Sequence, residues 1–311
     1  MHRIGVDLGG TNIAAGIVAA DGSITHKKSI PFVQKDQQGL VDDIIGLCQD
    51  LLEMAALTLT EIESIGIGVP GIVNPPEGMI LAACNLNVEK MPISHLVGQV
   101  LKVPIFLDND ANCAALGEAA FGAAKNSKYS ITITLGTGIG GGIILDGKVY
   151  SGPFFTAAEM HHVIRAEGEM CSCGRRGCWE EYAAARGLVR EATRWGERLS
   201  TSLVLEMAGG DASKVTAKMV FDAADAGDSL AVYALEVYLD NLSIGLGNLV
   251  NILQPEIIVI GGGMSGKGQS LIHAIESRMP DMVYGRDVRT KFVIAELGND
   301  AGIVGAALLN N

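Results

Sequence analysis

Three polar residues, Asp108-Asn109-Asp110, directly follow the apolar run at residues 103–107 and precede an alanine-rich stretch at 111–124. The run is typical of a buried strand, and the stretch after it is typical of a helix. Open α/β sheets bind ligands at the carboxyl ends of their strands, and a carboxylate placed there could act as a general base. Asp108 or Asp110 could equally serve only to cap the helix, and the tripeptide by itself favours neither interpretation.

Three of the six cysteines, Cys171, Cys173 and Cys178, lie within eight residues of one another, after His161 and His162. Six cysteines are few for a disulfide scaffold of this length, and such clustering is typical of a metal site. Three thiolates and one imidazole complete a tetrahedral zinc site that leaves no position for water. The sequence therefore predicts a structural zinc ion, with either histidine as the fourth ligand.

Glycine-rich turns follow three strand-like runs, at Gly9-Gly10, at residues 136–142 and at residues 261–263. Each turn alone has a purely structural interpretation, because tight hairpins need the positive φ that glycine adopts easily. Three such turns in an acidic chain without a Walker signature favour a nucleotide whose phosphates are held by backbone N–H groups. Gly138-Ile139-Gly140 leads into a strand instead of a helix, which disfavours a dinucleotide-binding fold.

Composition sets the class of protein and excludes several partners. The chain has 311 residues, a length that suggests two domains, and its 48% hydrophobic content can fill sizeable cores. No apolar run approaches the ~18 residues of a membrane span, and the first residues enter a strand directly. We therefore expect no membrane association and no secretion signal. A net charge of −12 with 5% aromatic residues argues against nucleic acid.

The elements that must position these residues alternate between strands and helices, which predicts an α/β fold. Hydrophobic periodicity and turn residues predict strands at 3–7, 13–19, 23–32, 64–69, 103–107, 130–135, 256–260 and 292–295. The same criteria predict helices at 38–57, 111–124, 180–195, 198–207, 217–226, 229–253, 269–279 and 301–309.

The opening of the chain recurs 127 residues later, where Leu135-Gly136-Thr137 corresponds to Leu8-Gly9-Gly10-Thr11. In both places a strand and an Asp-Gly dipeptide follow the turn. Two similar halves would each contribute a glycine turn to a cleft. We predict a small domain of residues 1–117 plus 295–311 and a large domain of residues 118–294. The large domain carries the segment with the three clustered cysteines, residues 171–178, which we call the cysteine loop.

Four motifs, in this order, resemble those of the ROK family of bacterial sugar kinases and repressors. They are Asp7-Leu8-Gly9-Gly10-Thr11-Asn12, Leu135-Gly136-Thr137-Gly138, the cysteine cluster and Gly261-Gly262-Gly263. The resemblance covers essentially the whole chain. It implies a two-domain actin-like ATPase fold of the ribonuclease-H-like class, with sugar and ATP in the interdomain cleft.

The resemblance also implies roles for single residues on the nucleotide side. Asp7 would help to place Mg²⁺, and Gly262 and Gly263 would lie near the adenosine. The phosphates of ATP would be bound by Gly9, Gly10, Thr11, Asn12, Gly136, Thr137 and Gly138. Asn109-Asp110 matches the family pair in which asparagine holds sugar hydroxyls and aspartate is the general base. Asp108 stands where many relatives have glutamate.

The remaining sugar contacts follow from the resemblance alone. Gly71 and Asn85 match family sugar contacts. The family pattern Glu-x-Gly-His corresponds to Glu159-Met160-His161-His162, with His161 in place of glycine, and Cys178-Trp179-Glu180 keeps the family's ending. This register makes Glu159, His162 and Glu180 sugar contacts, and it makes His162 a zinc ligand beside Cys171, Cys173 and Cys178. Residues 154–158 are bulkier than in the family's glucokinases. Because this difference and His161 both lie where the sugar would bind, the identity of the sugar stays open.

The favoured function is an ATP- and Mg²⁺-dependent kinase that converts glucose to glucose 6-phosphate. Fructose, mannose, allose or an N-acetylhexosamine are alternative substrates within the family. A sugar-sensing repressor would need a helix-turn-helix, for which a first strand at Arg3 leaves no room. A non-catalytic sugar-binding protein is a further alternative, against which Asp110 speaks. We also expect a cytoplasmic homodimer, because the cysteines are unpaired and the family contains many dimers.

Overall fold

A computed structural model describes residues 2–34 and 36–310. The chain folds into two compact units. Unit 1 comprises Met1–Thr132, Gly141–Ala158 and Ala295–Asn311, and unit 2 comprises Ile133–Gly140 and Glu159–Ile294. The sequence-based boundaries place residues 118–132 and 141–158 in the second domain, whereas in the structure these segments pack within unit 1. The C-terminal boundary, at residue 295, is the same in both divisions.

Strands and helices alternate along most of the described chain. The strands are β1 (His2–Leu8), β2 (Asn12–Val18), β3 (Ile24–Pro31), β4 (Ile62–Val69), β5 (Ile72–Asn74), β6 (Met79–Ala83), β7 (Val88–Met91), β8 (Ile105–Asn109), β9 (Ser130–Leu135), β10 (Ile139–Leu145), β11 (Lys148–Val149), β12 (Ile257–Gly261) and β13 (Lys291–Ile294). The helices are α1 (Gln37–Ala55), α2 (Ile93–Leu101), α3 (Asp110–Phe121), α4 (Glu180–Ala183), α5 (Ala185–Thr193), α6 (Gly196–Leu199), α7 (Leu203–Met207), α8 (Ala217–Asp225), α9 (Ser229–Leu253), α10 (Gln269–Met282) and α11 (Ala301–Ala307). None of these helices is long and apolar enough to cross a bilayer.

The main sheet of unit 1 has the strand order β3-β2-β1-β4-β8. β1 pairs antiparallel with β2, whereas β1, β4 and β8 run parallel. The carboxyl ends of these three strands therefore meet at one edge of the sheet. There Asp7 of β1 is in register with Gly68 of β4, which in turn is in register with Asp108 of β8. A Cβ added at Gly68 would lie 3.3 Å from Cys113 Sγ and 3.5 Å from the Cα of Asp110, so this glycine lets the start of α3 pack against the strand.

Helix α11 lies directly against this sheet and against α3. A Cβ added at Gly5 of β1 would stand 1.9 Å from the carbonyl oxygen of Ile303. One added at Gly305 would stand 1.7 Å from the carbonyl oxygen of Cys113. The C-terminal helix can approach β1, which carries Asp7, and α3 this closely only because these contact positions are glycine.

Residues 72–91 form a second, antiparallel sheet with the order β5-β6-β7, which the sequence analysis does not predict. Its strands have only three to five residues each. Runs this short show little hydrophobic alternation, so they give a weak sequence signal.

A third sheet has the order β11-β10-β9-β12-β13. Unit 2 contains β12 and β13 of this sheet and the helices from α4 to α10. The predicted helix at 180–195 is interrupted at Ala184, whose ψ of 169° is extended, so that α4 ends there and α5 begins. The predicted helix at 198–207 is likewise two helices, and Ser202 caps the second of them. The fully buried Trp179 packs on α9 where a Cβ at Gly245 would lie 2.0 Å from its ring.

Candidate active site

Helix α3 is capped by Asn109, and not by either of the aspartates that flank it. The Asn109 side-chain oxygen accepts hydrogen bonds from the backbone N–H groups of Ala111, at 2.9 Å, and Asn112, at 3.2 Å. Asp110 is the first residue of the helix. The capping role left open by the sequence therefore belongs to Asn109, and the Asp110 carboxylate stands in the first turn, where the helix dipole favours negative charge.

The other end of the Asn109 amide connects it to Gly71. Its Nδ2 atom donates a hydrogen bond to the Gly71 carbonyl oxygen at 3.1 Å. Gly71 has a φ of 154°, and a Cβ there would lie 2.3 Å from the Ala82 carbonyl oxygen, so only glycine fits. Two of the predicted sugar residues are thus brought together. Asn85 lies on the exposed side of the short 3₁₀ helix Cys84–Leu86 that follows β6.

Asp108 is buried and organises a polar network that the sequence analysis did not identify. Its Oδ1 atom accepts hydrogen bonds from the Asn109 N–H at 2.7 Å and from Asn112 Nδ2 at 2.8 Å. Its Oδ2 atom accepts one from the Ser151 hydroxyl at 3.4 Å. Burial raises the pKa of Asp108, and these hydrogen bonds oppose the shift. No local sequence pattern indicates this contact, because Asp108 ends a strand and Asn112 lies in the following helix.

Asp7 and Asp110 form an interacting pair of carboxylates in unit 1. Burial is the main cause that raises the pKa of Asp7 to about 6, the negative charge of Asp110 raises it further, and Lys27 opposes both. Gly302 of α11 provides room, because a Cβ there would lie 2.8 Å from Asp7 Oδ2. Oxygen ligands with crowded negative charge are what Mg²⁺ binds in proteins, so the donor set fits this ion.

The first glycine turn, between β1 and β2, is exposed at Gly10, Thr11 and Asn12. It is closed by a hydrogen bond of 2.9 Å from the Gly9 N–H to the Asn12 carbonyl oxygen. A Cβ added at Gly10 would meet no described atom within 4 Å. Packing therefore does not explain this glycine, whereas close approach of a ligand to its backbone would.

Three of the other predicted nucleotide residues, Gly136, Thr137 and Gly263, line a cavity of about 640 Å³ in unit 2. Gly262 packs against the 136–138 turn, since its Cβ would lie 2.4 Å from the Leu135 carbonyl oxygen. Helices that the sequence analysis did not connect with the site complete the walls. The lining residues are Gly136, Thr137, Ala185, Thr216, Ala217, Lys218, Phe221, Asp222, Gly263, Met264, Gly266 and Lys267. The volume is in the usual range for a small-molecule site.

Glu180, a predicted sugar contact, is hydrogen-bonded to the same glycine turn. Its Oε2 atom accepts a hydrogen bond of 2.8 Å from the Ile139 N–H, and its Oε1 atom pairs with Arg186. A Cβ at Gly138 would lie 2.5 Å from Glu180 Oε2. The carboxylate therefore occupies the space beside Gly138 that a side chain would fill.

The sulfur atoms of Cys171, Cys173 and Cys178 all lie within 4.8 Å of one another, and those of Cys173 and Cys178 are 3.5 Å apart. Tetrahedral zinc–thiolate bonds of about 2.3 Å place sulfurs roughly 3.8 Å apart, so the three thiols fit a zinc ion. Hydrogen bonds from Arg175 lower the pKa of the exposed Cys173 to about 6, which favours the thiolate form that binds metal.

The two histidines before the cluster have different neighbours. His161 Nδ1 lies 3.1 Å from Glu159 Oε2. His162 Nε2 lies 3.4 Å from Asn248 Nδ2, and its ring centroid is 5.5 Å from that of Trp179. Burial lowers the pKa of His162, which favours the neutral form. Among the described residues, the group of mutually close ligand atoms contains the three sulfurs and neither ring, so the fourth zinc ligand stays a prediction.

The sequence and the structure of this chain match those of proteins from one known family. The sequence profile of the ROK family matches residues 3–311. A glucokinase from Halalkalibacterium halodurans is 37% identical, over 98% of this chain and 94% of the relative. The crystal structure of a ROK family glucokinase from Streptomyces griseus, in complex with glucose and AMPPNP, superposes with a TM-score of 0.81 at 34% identity and covers 99% of both chains. ROK hexokinase from Thermus thermophilus gives a TM-score of 0.84 at 31% identity, over 99% of this chain and 97% of that one.

Proteins with other activities match at lower identity. An N-acetyl-D-glucosamine kinase from Yersinia pseudotuberculosis is 28% identical over 98% of each chain. A xylose repressor from Caldicellulosiruptor bescii is 30% identical over 88% of this chain and 68% of the repressor.

Proposed function

The chain belongs to the ROK family, and we propose that it transfers the γ-phosphoryl group of ATP to the 6-hydroxyl group of glucose, with Asp110 as the general base. ATP-dependent hexose kinase activity is the coarser part of this assignment. It is supported by relatives named glucokinase at 35–37% identity and by a structural neighbour that contains glucose and AMPPNP. The two-domain actin-like ATPase fold of these kinases is also the fold of this chain.

The observation that carries the proposal is the carboxylate pair of unit 1. Transfer of a phosphoryl group to a hydroxyl needs a group that accepts the hydroxyl proton and groups that balance the phosphate charge. Asp110 stands at the start of α3 beside a cap that Asn109 provides, so its carboxylate is not needed to cap the helix. The preceding residue, Asn109, is hydrogen-bonded to Gly71, and both are predicted sugar contacts. Asp7 would hold Mg²⁺, which neutralises phosphate charge when bound.

Unit 2 supports binding of the phosphoryl donor. Gly136 and Thr137 of the glycine turn line the cavity together with Gly263. Lys218 and Lys267 add positive charge, although each is paired with an aspartate of α8, Asp222 or Asp225. A nucleotide can therefore be bound by a chain with a net charge of −12 because backbone groups and a few local cations act in place of a basic surface.

Zinc would be held by Cys171, Cys173, Cys178 and His162. Four protein ligands leave no position for water, so the ion would order the loop without entering the reaction. Glu159 and Glu180 would complete the sugar contacts, as the resemblance implies. The relative that phosphorylates N-acetylglucosamine makes an N-acetylhexosamine the second candidate substrate.

The test is a coupled assay of ADP release with glucose, fructose, mannose, allose, N-acetylglucosamine and N-acetylmannosamine. We expect the highest kcat/KM with glucose and dependence on Mg²⁺. A higher kcat/KM with an N-acetylhexosamine would replace glucose and keep the kinase. If no ADP is released with any of these sugars, the proposed function is contradicted.

Asp110→Asn should lower kcat with glucose by ~10²–10⁴-fold, because the amide cannot accept the hydroxyl proton in the transition state. Glucose affinity, measured by calorimetry, should stay within about threefold, since the side chain keeps its shape. The matched control is Asp50→Asn, an isosteric change at a carboxylate that only pairs with Lys28 at the surface. Wild-type kcat in Asp110→Asn would remove Asp110 from the role of base.

A further inference from the structure

The 136–138 turn is attached at one end to the start of α5 and at the other end to the start of α4. The Ala185 N–H donates a hydrogen bond of 2.9 Å to the Gly136 carbonyl oxygen. At the other end, the Ile139 N–H donates one of 2.8 Å to Glu180 Oε2. The orientation of the turn's backbone N–H groups therefore depends on where the Glu180 carboxylate is held.

Arg186 holds that carboxylate. Its Nη2 atom contacts Glu180 Oε1 and also lies 2.7 Å from Glu181 Oε1. The side chains of the two glutamates are only 17% and 7% exposed, and one oxygen of each lies within 4.8 Å of the Cys171 sulfur. Two largely buried carboxylates in so small a space repel each other unless a cation lies between them, and Arg186 occupies that position. The planar guanidinium can donate to both carboxylates at once, which an ammonium does less well.

We propose that Arg186 is a positioning residue for the phosphoryl donor: it fixes Glu180 against the Ile139 N–H and thereby orients the 136–138 turn toward the phosphates. The inference rests on the proposed function, since donor binding at this turn is part of it. It gives Glu180 a role besides the predicted sugar contact. The cysteine loop is coupled to the same place, because Glu180 follows Cys178 by two residues.

The experiment compares Arg186→Gln with Arg190→Gln. Arg190 is on the same helix and pairs with Glu181 and, at 3.9 Å, with Glu169, so it is matched in charge and location without contacting Glu180. We expect Arg186→Gln to raise KM for ATP and Kd for AMPPNP by about tenfold, the usual effect of losing a charge-assisted hydrogen bond. KM for glucose should rise less than the Kd for AMPPNP, because Glu180 is one of several predicted sugar contacts and Arg186 touches none of the others. Arg190→Gln should leave all three constants within about twofold.

Arg186→Lys retains the charge without the planar geometry, so it should recover part of the AMPPNP affinity lost in Arg186→Gln. Bound zinc, measured in each variant, reports whether the cysteine loop is intact. If Arg186→Gln does not fold, an AMPPNP Kd for Arg186→Lys that is about threefold above wild type supports the proposal, and an unchanged one overturns it.

Equal changes in the constants for ATP and glucose would assign Arg186 a merely structural role and overturn the inference. So would an unchanged Kd for AMPPNP. A wild-type protein that phosphorylates no sugar would refute the proposed function, whereas the AMPPNP affinities of the variants would still decide the role of Arg186.

Discussion

Asp7 carries its carboxylate at a place where ionisation is unfavourable. Burial, together with the charge of Asp110, raises its pKa to about 6 from the ordinary 3.8. Packing alone would favour an uncharged residue there, and the neighbouring Gly302 leaves space at the carboxylate. A group that is ionised at a cost in stability is typical of functional sites, where a ligand compensates the charge.

Asp7→Asn should therefore stabilise the protein at pH 7.5 in the absence of Mg²⁺ and nucleotide. Between pH 3.8 and 6 the folded chain keeps the Asp7 proton that the unfolded chain has released, so the stability of the wild type falls as pH rises across this range. The variant does not have this loss. We expect a gain on the order of 1 to 2 kcal/mol, after allowance for partial exposure, measured by urea unfolding.

The pH dependence is the control for this prediction. At pH 4.5 the folded chain keeps most of its Asp7 protons while the unfolded chain has released most of them, so the gain from Asp7→Asn should fall to about a third of its value at pH 7.5. The same variant should lose kinase activity at pH 7.5, because the amide cannot act as an anionic ligand. A variant less stable than wild type at pH 7.5 would show that Asp7 does not carry the expected ionisation cost.

At the scale of elements, strong hydrophobic periodicity made the longer pieces predictable. Helices α1 and α9 lie within two residues of their expected bounds, and β8, α3 and their connection appear where the tripeptide predicts them. The β5-β6-β7 sheet could not be predicted from the sequence, because its strands are too short to show hydrophobic periodicity. No proline or glycine marks the break at Ala184 in the sequence. The extended conformation there accompanies a tertiary contact, the hydrogen bond from Ala185 to the Gly136 turn, which no local pattern shows.

The sequence predicted those parts of the candidate site in which the residue type itself indicates the chemistry. It predicted less well the parts in which tertiary contacts determine the role of a residue. Three clustered thiols indicated a metal from sequence, and the structure places their sulfurs close together. The division of labour between Asn109 and Asp110 required the cap geometry, because all three residues of the tripeptide can cap a helix. The contribution of Lys218 and Phe221 to the cavity depends on where α8 packs, which no local pattern determines.

The cysteine loop is an element whose order should depend on metal. It is held by isolated bridges, Val163 with Cys178 and Met170 with Arg176, and by positive-φ glycines at 174 and 177. We predict that His162→Ala lowers the zinc content of the purified protein at least severalfold, since the three thiolates alone would bind the ion less tightly than a complete set of four ligands. Elemental analysis of zinc per chain measures this.

His161→Ala is the matched control, because it removes the adjacent ring, which pairs with Glu159. It should keep about one zinc per chain. Loss of zinc only in His161→Ala would shift the register of the sugar contacts by one residue. Full zinc in both variants would mean that neither ring is the fourth ligand.

For the whole molecule, the acidic charge and the glycine-rich turns fit together if a nucleotide is bound by short backbone contacts instead of a basic surface. The net charge of −12 is unfavourable for long-range attraction of a nucleotide, so affinity must arise from short contacts. The cavity of unit 2 offers such contacts both to phosphate, through the Gly136 turn, and to an apolar group, through Phe221 and Met264. A donor that has a base and a ribose should therefore bind better than phosphate alone.

Ligand-dependent unfolding tests this directly. With Mg²⁺ present, AMPPNP at about 100 times its Kd should stabilise the protein by about 2.7 kcal/mol, which raises the Tm of a chain of this size by several degrees. Inorganic triphosphate at the same concentration should raise Tm much less, because it leaves the surface of Phe221 and Met264 uncovered. Phe221→Ala, which removes that surface, should reduce the difference between the two ligands. Equal shifts with triphosphate and AMPPNP would mean that the cavity recognises phosphate only, and that the donor need not be a nucleotide.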